Sequence, residues 1–376
     1  MTSPPDVAVA VENPRDRRRR LILAISRFWA WVFLFALVAF FWVSVTMTTD
    51  GEVNFLSMRN IMNVLVAITP ILLMGLGQTF VIISGGIDLS VGWVMGLASV
   101  VAALVARDLV ESGAGEIVAI GGAFVAGVFA AMVVGLINGL IIAKLRVPAF
   151  IVTLGMSFVA RGVAFLLSGG NVVGQQPDGM RTFGNESLIY VNWADGAVSF
   201  LFKPELPDVA LRQLDRIFSW PVVITAVAVG VALFILNRTQ PGRHTYAVGG
   251  SREASLRAGV PVDRLTILIY VGSAMTAGIA GVLHTARFSG GSSIAGEALL
   301  MSSVAAVVIG GVSLYGGRGN IMGTVIGALI IAILTTGLVM LNVEPFWQYI
   351  VIGIVVILAV LIDQARDLVI GRAESQ

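Results

Sequence analysis

Ten apolar runs, at about residues 28–47, 61–83, 91–106, 117–143, 149–168, 219–237, 265–286, 298–313, 321–341 and 346–363, succeed one another with charges gathered between them. Most approach the roughly 20 residues that about 30 Å of hydrocarbon requires of a helix. Backbone in hydrocarbon must satisfy its own hydrogen bonds, so such runs predict an all-α polytopic membrane protein of about ten transmembrane helices. Charged residues are only 12% of the chain and mean hydropathy is +0.92, whereas in soluble domains roughly a quarter of residues are charged. A soluble domain is excluded.

Charge sets the orientation. Residues 1–27 hold Pro4, Pro5 and Pro14 and end near Arg17-Arg18-Arg19-Arg20, which predicts a disordered basic tail on the cytoplasmic side. The run 28–47 is too long and aromatic for a signal-peptide core and should stay as the first helix. Alternate connections then carry Lys144 and Arg146, the group Arg238, Arg243, Arg252, Arg257 and Arg264, then Arg318, and finally Arg366 and Arg372 in a tail at 364–376. The opposite side receives Asp50, Glu52, Asp108, Glu111 and Glu344. A membrane domain at 28–363 with both termini cytoplasmic fits this pattern. The external loop at 169–219 contains Gly174, Pro177, Gly179, Gly184, Pro204 and Pro207 among polar residues, with Tyr190, Trp193, Phe200 and Phe202. It is expected to lie on the membrane or pack on the helices, without a core of its own.

Several chemistries are ruled out by residue type. There is no cysteine, so no disulfide, thiol nucleophile or thiolate metal site. His244 and His284 are too few for a multi-histidine metal centre. The lysines, Lys144 and Lys203, do not follow a glycine, so the chain has no Walker A Gly-Lys pair. No catalytic constellation can be placed, and the arginines at helix ends say nothing of nucleic acid. The chain is read as neither an enzyme nor a metal or cofactor protein.

Glycine breaks interrupt the apolar pattern at Ser84-Gly85-Gly86-Ile87-Asp88-Leu89-Ser90-Val91-Gly92 and at Gly290-Gly291-Ser292-Ser293. Non-helical backbone at membrane depth must face protein or a wet cavity, so both breaks should turn inward. They fall before spans three and eight. Gly139-Leu140-Ile141-Ile142-Ala143 likewise matches Ala328-Leu329-Ile330-Ile331-Ala332 in spans four and nine. Repeats of five spans must lie upside down relative to each other, which predicts two inverted five-helix repeats with their breaks approaching one central region.

Ionisable residues within spans are functional candidates by default. Asp88, Arg161 and Glu297 qualify, with Ser90, Asn138, Ser292 and Ser293 as neutral companions along a candidate pathway. Asp88 and Glu297 each open a span, where helix capping is the simpler role. Arg161, within span five, either pairs with a carboxylate inside the bundle or snorkels to the interface. In the connection 238–264, Ser251-Arg252-Glu253-Ala254-Ser255-Leu256-Arg257-Ala258 reads as a helix of about two turns, capped by Ser251 and stopped by Gly259 and Pro261. So short a helix needs a surface to lie on. Docking of a soluble partner through Gly250, Ser251, Arg252, Glu253, Ala254 and Arg257 suits a chain without its own energy source.

Three stretches, residues 85–92, Gly242-Arg243-His244-Thr245-Tyr246-Ala247-Val248-Gly249-Gly250, and Val308-Ile309-Gly310-Gly311-Val312-Ser313-Leu314-Tyr315-Gly316-Gly317-Arg318-Gly319, resemble the permease subunits of bacterial ABC importers for ribose, xylose, galactose and related monosaccharides. The resemblance spans about residues 60–363. It implies a vitamin-B12-transporter-like (type II importer) fold, a second permease subunit, a cytoplasmic tandem-module ATPase holding ATP and Mg, a periplasmic sugar-binding protein, and a bacterial inner membrane location. It also makes 238–264 the coupling loop, although Gly250-Ser251-Arg252-Glu253 departs from the usual Gly-Asn beginning. The rival readings are an ion-coupled secondary transporter of small polar solutes, which would want carboxylates or histidines along a proton route, and a membrane enzyme, which lacks a reacting set.

Overall fold

The computed structural model describes residues 14–193, 196–201, 203–204, 214–344, 346–358 and 361. The expectations for Phe202, for residues 1–13 and for the tail at 364–376 lie outside the described residues. Helices α1 (Pro14–Thr48), α2 (Met58–Ile83), α3 (Val91–Glu111), α4 (Glu116–Lys144), α5 (Ala149–Ser168) and the short α6 (Asp178–Asn185) lead into three strands. The strands are β1 (Ser187–Asn192), β2 (Ala197–Phe200) and β3 (Leu214–Ser219). Then come α7 (Trp220–Arg238), α8 (Gln240–Gly250), α9 (Arg252–Arg257), α10 (Val262–Phe288), α11 (Glu297–Ile309) and α12 (Ile321–Met340), followed by α13 (Phe346–Leu358).

Eight of the described helices are long and apolar enough to cross a membrane, and α11 and α13 are shorter apolar helices. Helix α1 is continuous from Pro14, so residues 14–27, expected as part of a disordered tail, are helical, and the arginine run belongs to the first turns.

Helix α10 is the spine, packing on α2, α3 and α4. Small residues permit the approach: a Cβ at Gly139 would stand 2.7 Å from the Ile267 Cα, and one at Gly135 would stand 2.5 Å from the Tyr270 carbonyl oxygen. Close backbone contact replaces the hydrophobic drive that lipid cannot supply between helices. The outer helices α4, α5 and α7 bury less than a third of their apolar windows, as lipid-facing helices do.

The connection at 169–219 folds further than its composition suggested. Its strands form an antiparallel sheet in the order β2-β1-β3, with Tyr190 opposite Ser199 on one side and Arg216 on the other. Tyr190 is fully buried and its hydroxyl oxygen accepts from the Ser187 N–H at 3.0 Å, while burial holds the phenol above its ordinary pKa. The sheet leans on α2, where Arg59 reaches Asp215 at 3.7 Å. Helix α6 lies on the end of α10: Gly184 abuts the Ala286 backbone, and Asn185 Nδ2–H donates to the Arg287 carbonyl at 3.0 Å. The otherwise helical chain therefore carries a small sheet outside its bundle. It buries apolar groups by sharing the helices' surface, packing on the helices as one of the two expected placements had it.

Candidate functional site

After Ile83 the chain turns at Gly85 (φ 83°), a conformation only glycine adopts without strain, and residues 86–90 fold back along α2 without helical bonding. Side chains from several helices hold this returning segment. Gln78 Nε2–H donates to the Asp88 carbonyl at 2.5 Å, and the Thr153 hydroxyl donates to the Ile87 carbonyl at 3.2 Å. The Asp88 carboxylate is 1% exposed. Its Oδ1 accepts from the Ser90 N–H at 3.0 Å and the Ser90 hydroxyl at 2.6 Å, while Oδ2 accepts from the Ser273 hydroxyl at 2.9 Å. Asn138 Nδ2–H completes the set by donating to Ser90 Oγ at 3.0 Å.

Asp88, Ser90 and Asn138 thus come together, joined by Gln78 on α2, Thr153 on α5 and Ser273 on α10. Side chains from five helices hold the segment 87–90, and Ser90 and Ser273 are the two that touch its buried carboxylate. Its role differs from a simple cap: Ser90 is the N-cap of α3 and makes no side-chain cap bond, while Asp88 holds Ser90 from two residues earlier. The same network leaves Gln78 Oε1, Asn138 Oδ1 and Tyr270 Oη, all buried, without a hydrogen-bond partner among the described residues.

The second break mirrors the first from the other end of the bundle. Residues 289–296 run antiparallel to α3: a Cβ at Gly291 would stand 2.7 Å from the Ser99 carbonyl oxygen, Gly96 abuts the Ser293 carbonyl, and a Cβ at Gly92 would stand 2.6 Å from the Gly296 carbonyl oxygen. Ser99 Oγ accepts the Ser292 N–H at 3.1 Å, and Ser293 is buried. Helix α11 is short because this irregular, turn-rich stretch takes the place of its first turns. The starts of α3 and α11 therefore meet at Gly92 and Gly296, inside the bundle. Glu297 is exposed there, and α11 is capped by Gly296 without a side-chain bond, so capping by Glu297 is corrected.

Arg161 is exposed and lies against aromatic rings. Among the described residues no carboxylate pairs with it, and its guanidinium carbon lies 4.6 Å from the Trp93 ring centroid and 5.7 Å from that of Phe165. Trp93 is in the first turn of α3, about 22 Å along the helix from Asp108 at 1.5 Å per residue. Sequence reasoning passed over Trp93, and also Gln78, whose amide within an apolar run was the same kind of signal as Asn138.

On the Ile83 end of the bundle, α8 and the loop 311–319 close over the first break. The Gly317 N–H donates to the Ile83 carbonyl at 2.8 Å, a Cβ at Gly249 would fall on that carbonyl, and the Tyr246 hydroxyl donates to the Gly319 carbonyl at 2.7 Å. Burial raises the Tyr246 phenol above its ordinary pKa. Helix α8 was not expected, although Thr239 as N-cap with Pro241 in the first turn is a start signal. In α9, Ser251 accepts from the Ala254 N–H at 3.2 Å, as expected. Arg252, Glu253, Ala254 and Arg257 are all exposed, Arg257 pairs with Glu253 at 2.6 Å, and a Cβ at Gly250 would meet nothing within 4 Å.

Residues 60–360 match the model of a protein family described as branched-chain amino acid transport system / permease component. The chain belongs to this permease family. Among its relatives, the ribose import permease of Escherichia coli (strain K12) is 34% identical over 325 residues, covering 86% of this chain and 92% of that protein. The ribose import permease of Bacillus subtilis (strain 168) is 37% identical over 315 residues, or 84% and 87% of the two chains. The L-arabinose ABC transporter permease of Azospirillum brasilense is 33% identical over 366 residues, or 97% and 95%. No solved structure matches the chain. The resemblance read from the three motifs is thus met by permeases of the same named class.

Proposed function

We propose that this permease is the membrane-spanning subunit of an ATP-driven importer of a monosaccharide or related polyol in a bacterial inner membrane. The observation that carries the reading is the run of relatives, covering more than four-fifths of the chain, that are named as importers of ribose and L-arabinose. In this reading ten spans form two inverted five-helix repeats of the type II importer fold, with both termini in the cytoplasm. The sheet and α6 then face the periplasm, and α8, α9 and the loop 311–319 face the cytoplasm. A second copy of the permease completes the pore, a periplasmic binding protein delivers sugar, and a tandem-module ATPase supplies ATP and Mg. The permease itself carries out no chemistry.

Two features support this division of labour. Asp88 is satisfied entirely by hydroxyls and one N–H, which suits a structural tie better than a station on a proton route. Helix α9 is a six-residue helix whose side chains, Ser255 apart, point to solvent, which suits docking. Glu253→Arg and Ala254→Asp should therefore cut co-purification of the ATPase and sugar-stimulated ATP turnover at least tenfold, with insertion unchanged, because both put charge into a docked contact. Arg146→Glu, on a different connection, should leave both near wild type. Arg318 is a poorer control, since its loop touches Gly249 and Gly250. Unchanged turnover in both α9 variants would move the coupling surface elsewhere.

A further inference from the structure

One carboxylate joins three helix ends beside α9. Asp263, in the first turn of α10, accepts from Lys144 Nζ at 3.1 Å on Oδ2, and its Oδ1 faces Arg252 Nη2 at 3.9 Å. Lys144 is the last residue of α4 and Arg252 the first of α9. The backbone between α9 and α10 is tied as well. Gly259 turns with φ 79°, its N–H donates to the Leu256 carbonyl at 3.1 Å, and the Val260 N–H donates to the Ser255 carbonyl at 3.0 Å. Helix α9 is therefore seated on the start of α10 instead of hanging from a free loop.

The two long helices that meet at Asp263 are also two that hold the first break from inside. On α4, about 9 Å along the helix from Lys144 at 1.5 Å per residue, Asn138 donates to Ser90 Oγ. On α10, about 15 Å along the helix from Asp263, the Ser273 hydroxyl donates to the Asp88 carboxylate. Between the ion pair and the break the two helices lie backbone to backbone, with Gly139 against Ile267 and Gly135 against Tyr270. Contact so close leaves little room for one helix to slip on the other, and coupling between sites travels through contiguous packed elements and ion pairs.

We propose, building on the permease reading above, that Asp263 is a positioning residue for transport. It fixes α9 to α4 and α10, so that a movement of the docked ATPase reaches Asn138 and Ser273 and, through them, the break at 86–90. Asp263 needs no contact with ATPase or sugar to do this. Its ion pairs are partly exposed, and such pairs add little to stability, so the network sets where α9 sits without holding the fold together.

The test uses the complex of permease, ATPase and binding protein in proteoliposomes, and reads radiolabelled ribose, xylose, arabinose or fructose accumulated per ATP hydrolysed. Asp263→Asn should lower that ratio about threefold, an effect of the size exposed ion pairs can carry. The purified variant should still unfold at the wild-type temperature and retain the ATPase. Asp263→Glu, which keeps the charge, should stay near wild type. In the exchanged pair Lys144→Asp with Asp263→Lys, the tie between α4 and α10 returns but the charge facing Arg252 repels it, so the ratio should stay low. A wild-type ratio in Asp263→Asn would overturn the proposal, and so would recovery in the exchanged pair, which would leave α9 out of the connection. Loss of the ATPase or a lowered unfolding temperature in Asp263→Asn would also overturn it, by making Asp263 part of the docking surface or of the fold. Failure of the wild-type complex to accumulate any monosaccharide would instead count against the permease reading itself.

Discussion

Asp88→Leu should leave the permease unable to keep α3 in place, with a loss on the order of 3 kcal/mol or more of stability in detergent. Three donors, the Ser90 N–H, the Ser90 hydroxyl and the Ser273 hydroxyl, lose their acceptor at a buried site. Each buried donor left unsatisfied costs about 1–3 kcal/mol. Asp88→Asn should be much milder, within about 1 kcal/mol, because an amide oxygen can still serve Ser90 and its NH₂ can donate to Ser273, whose hydroxyl also accepts. Thermal unfolding of the purified variants, read beside transport, separates the two. If Asp88→Asn abolishes transport while unfolding at the wild-type temperature, the charge itself is used in the pathway and the structural account of Asp88 is wrong.

Two adjacent glycines on α8 make the second large prediction. A Cβ at Gly249 would fall on the Ile83 carbonyl and stand 2.5 Å from the Gly317 nitrogen, while one at Gly250 meets nothing within 4 Å. Backbone cannot yield as a side chain does, so Gly249→Ala should cost about 3 kcal/mol, at the upper end of the usual overpacking range. It should part α8 from the end of α2, and with it the loop 311–319. Gly250→Ala should unfold at the wild-type temperature. Limited proteolysis of α8 and the loop 311–319 reads the difference directly, and equal protection in both variants would show that the junction is not packed as described.

How much of this was legible in the sequence depends on the range of the interaction. The apolar runs, the two glycine breaks and the Ser251 cap were readable because each is decided within a few residues, by hydropathy, by turn chemistry or by a capping side chain. Ser273 was not readable as a partner of Asp88, since the two are 185 positions apart and nothing on an all-round apolar helix tells which face turns inward. Trp93 was read past for the same reason: an aromatic in a membrane helix says lipid, core or interface equally well. The sheet at 187–219 was obscured by its polar turns, and its buried Tyr190 gains its cover from neighbouring structure that sequence alone does not reveal. Arg161 was recognised as a charge in a span, but its partner turned out to be a ring on another helix.

The central claim is that this permease moves a sugar at the expense of ATP hydrolysed by a partner chain. The most direct measurement is accumulation of radiolabelled ribose, xylose, arabinose and fructose in proteoliposomes holding the permease, the ATPase and the binding protein. ATP is enclosed on the ATPase side, and uptake is compared with and without a proton ionophore. The account predicts accumulation of at least one of these sugars that needs ATP, persists when the proton gradient is collapsed, and vanishes when the ATPase is left out. Accumulation by the permease alone on an imposed pH gradient, without ATP or partner chains, would contradict it.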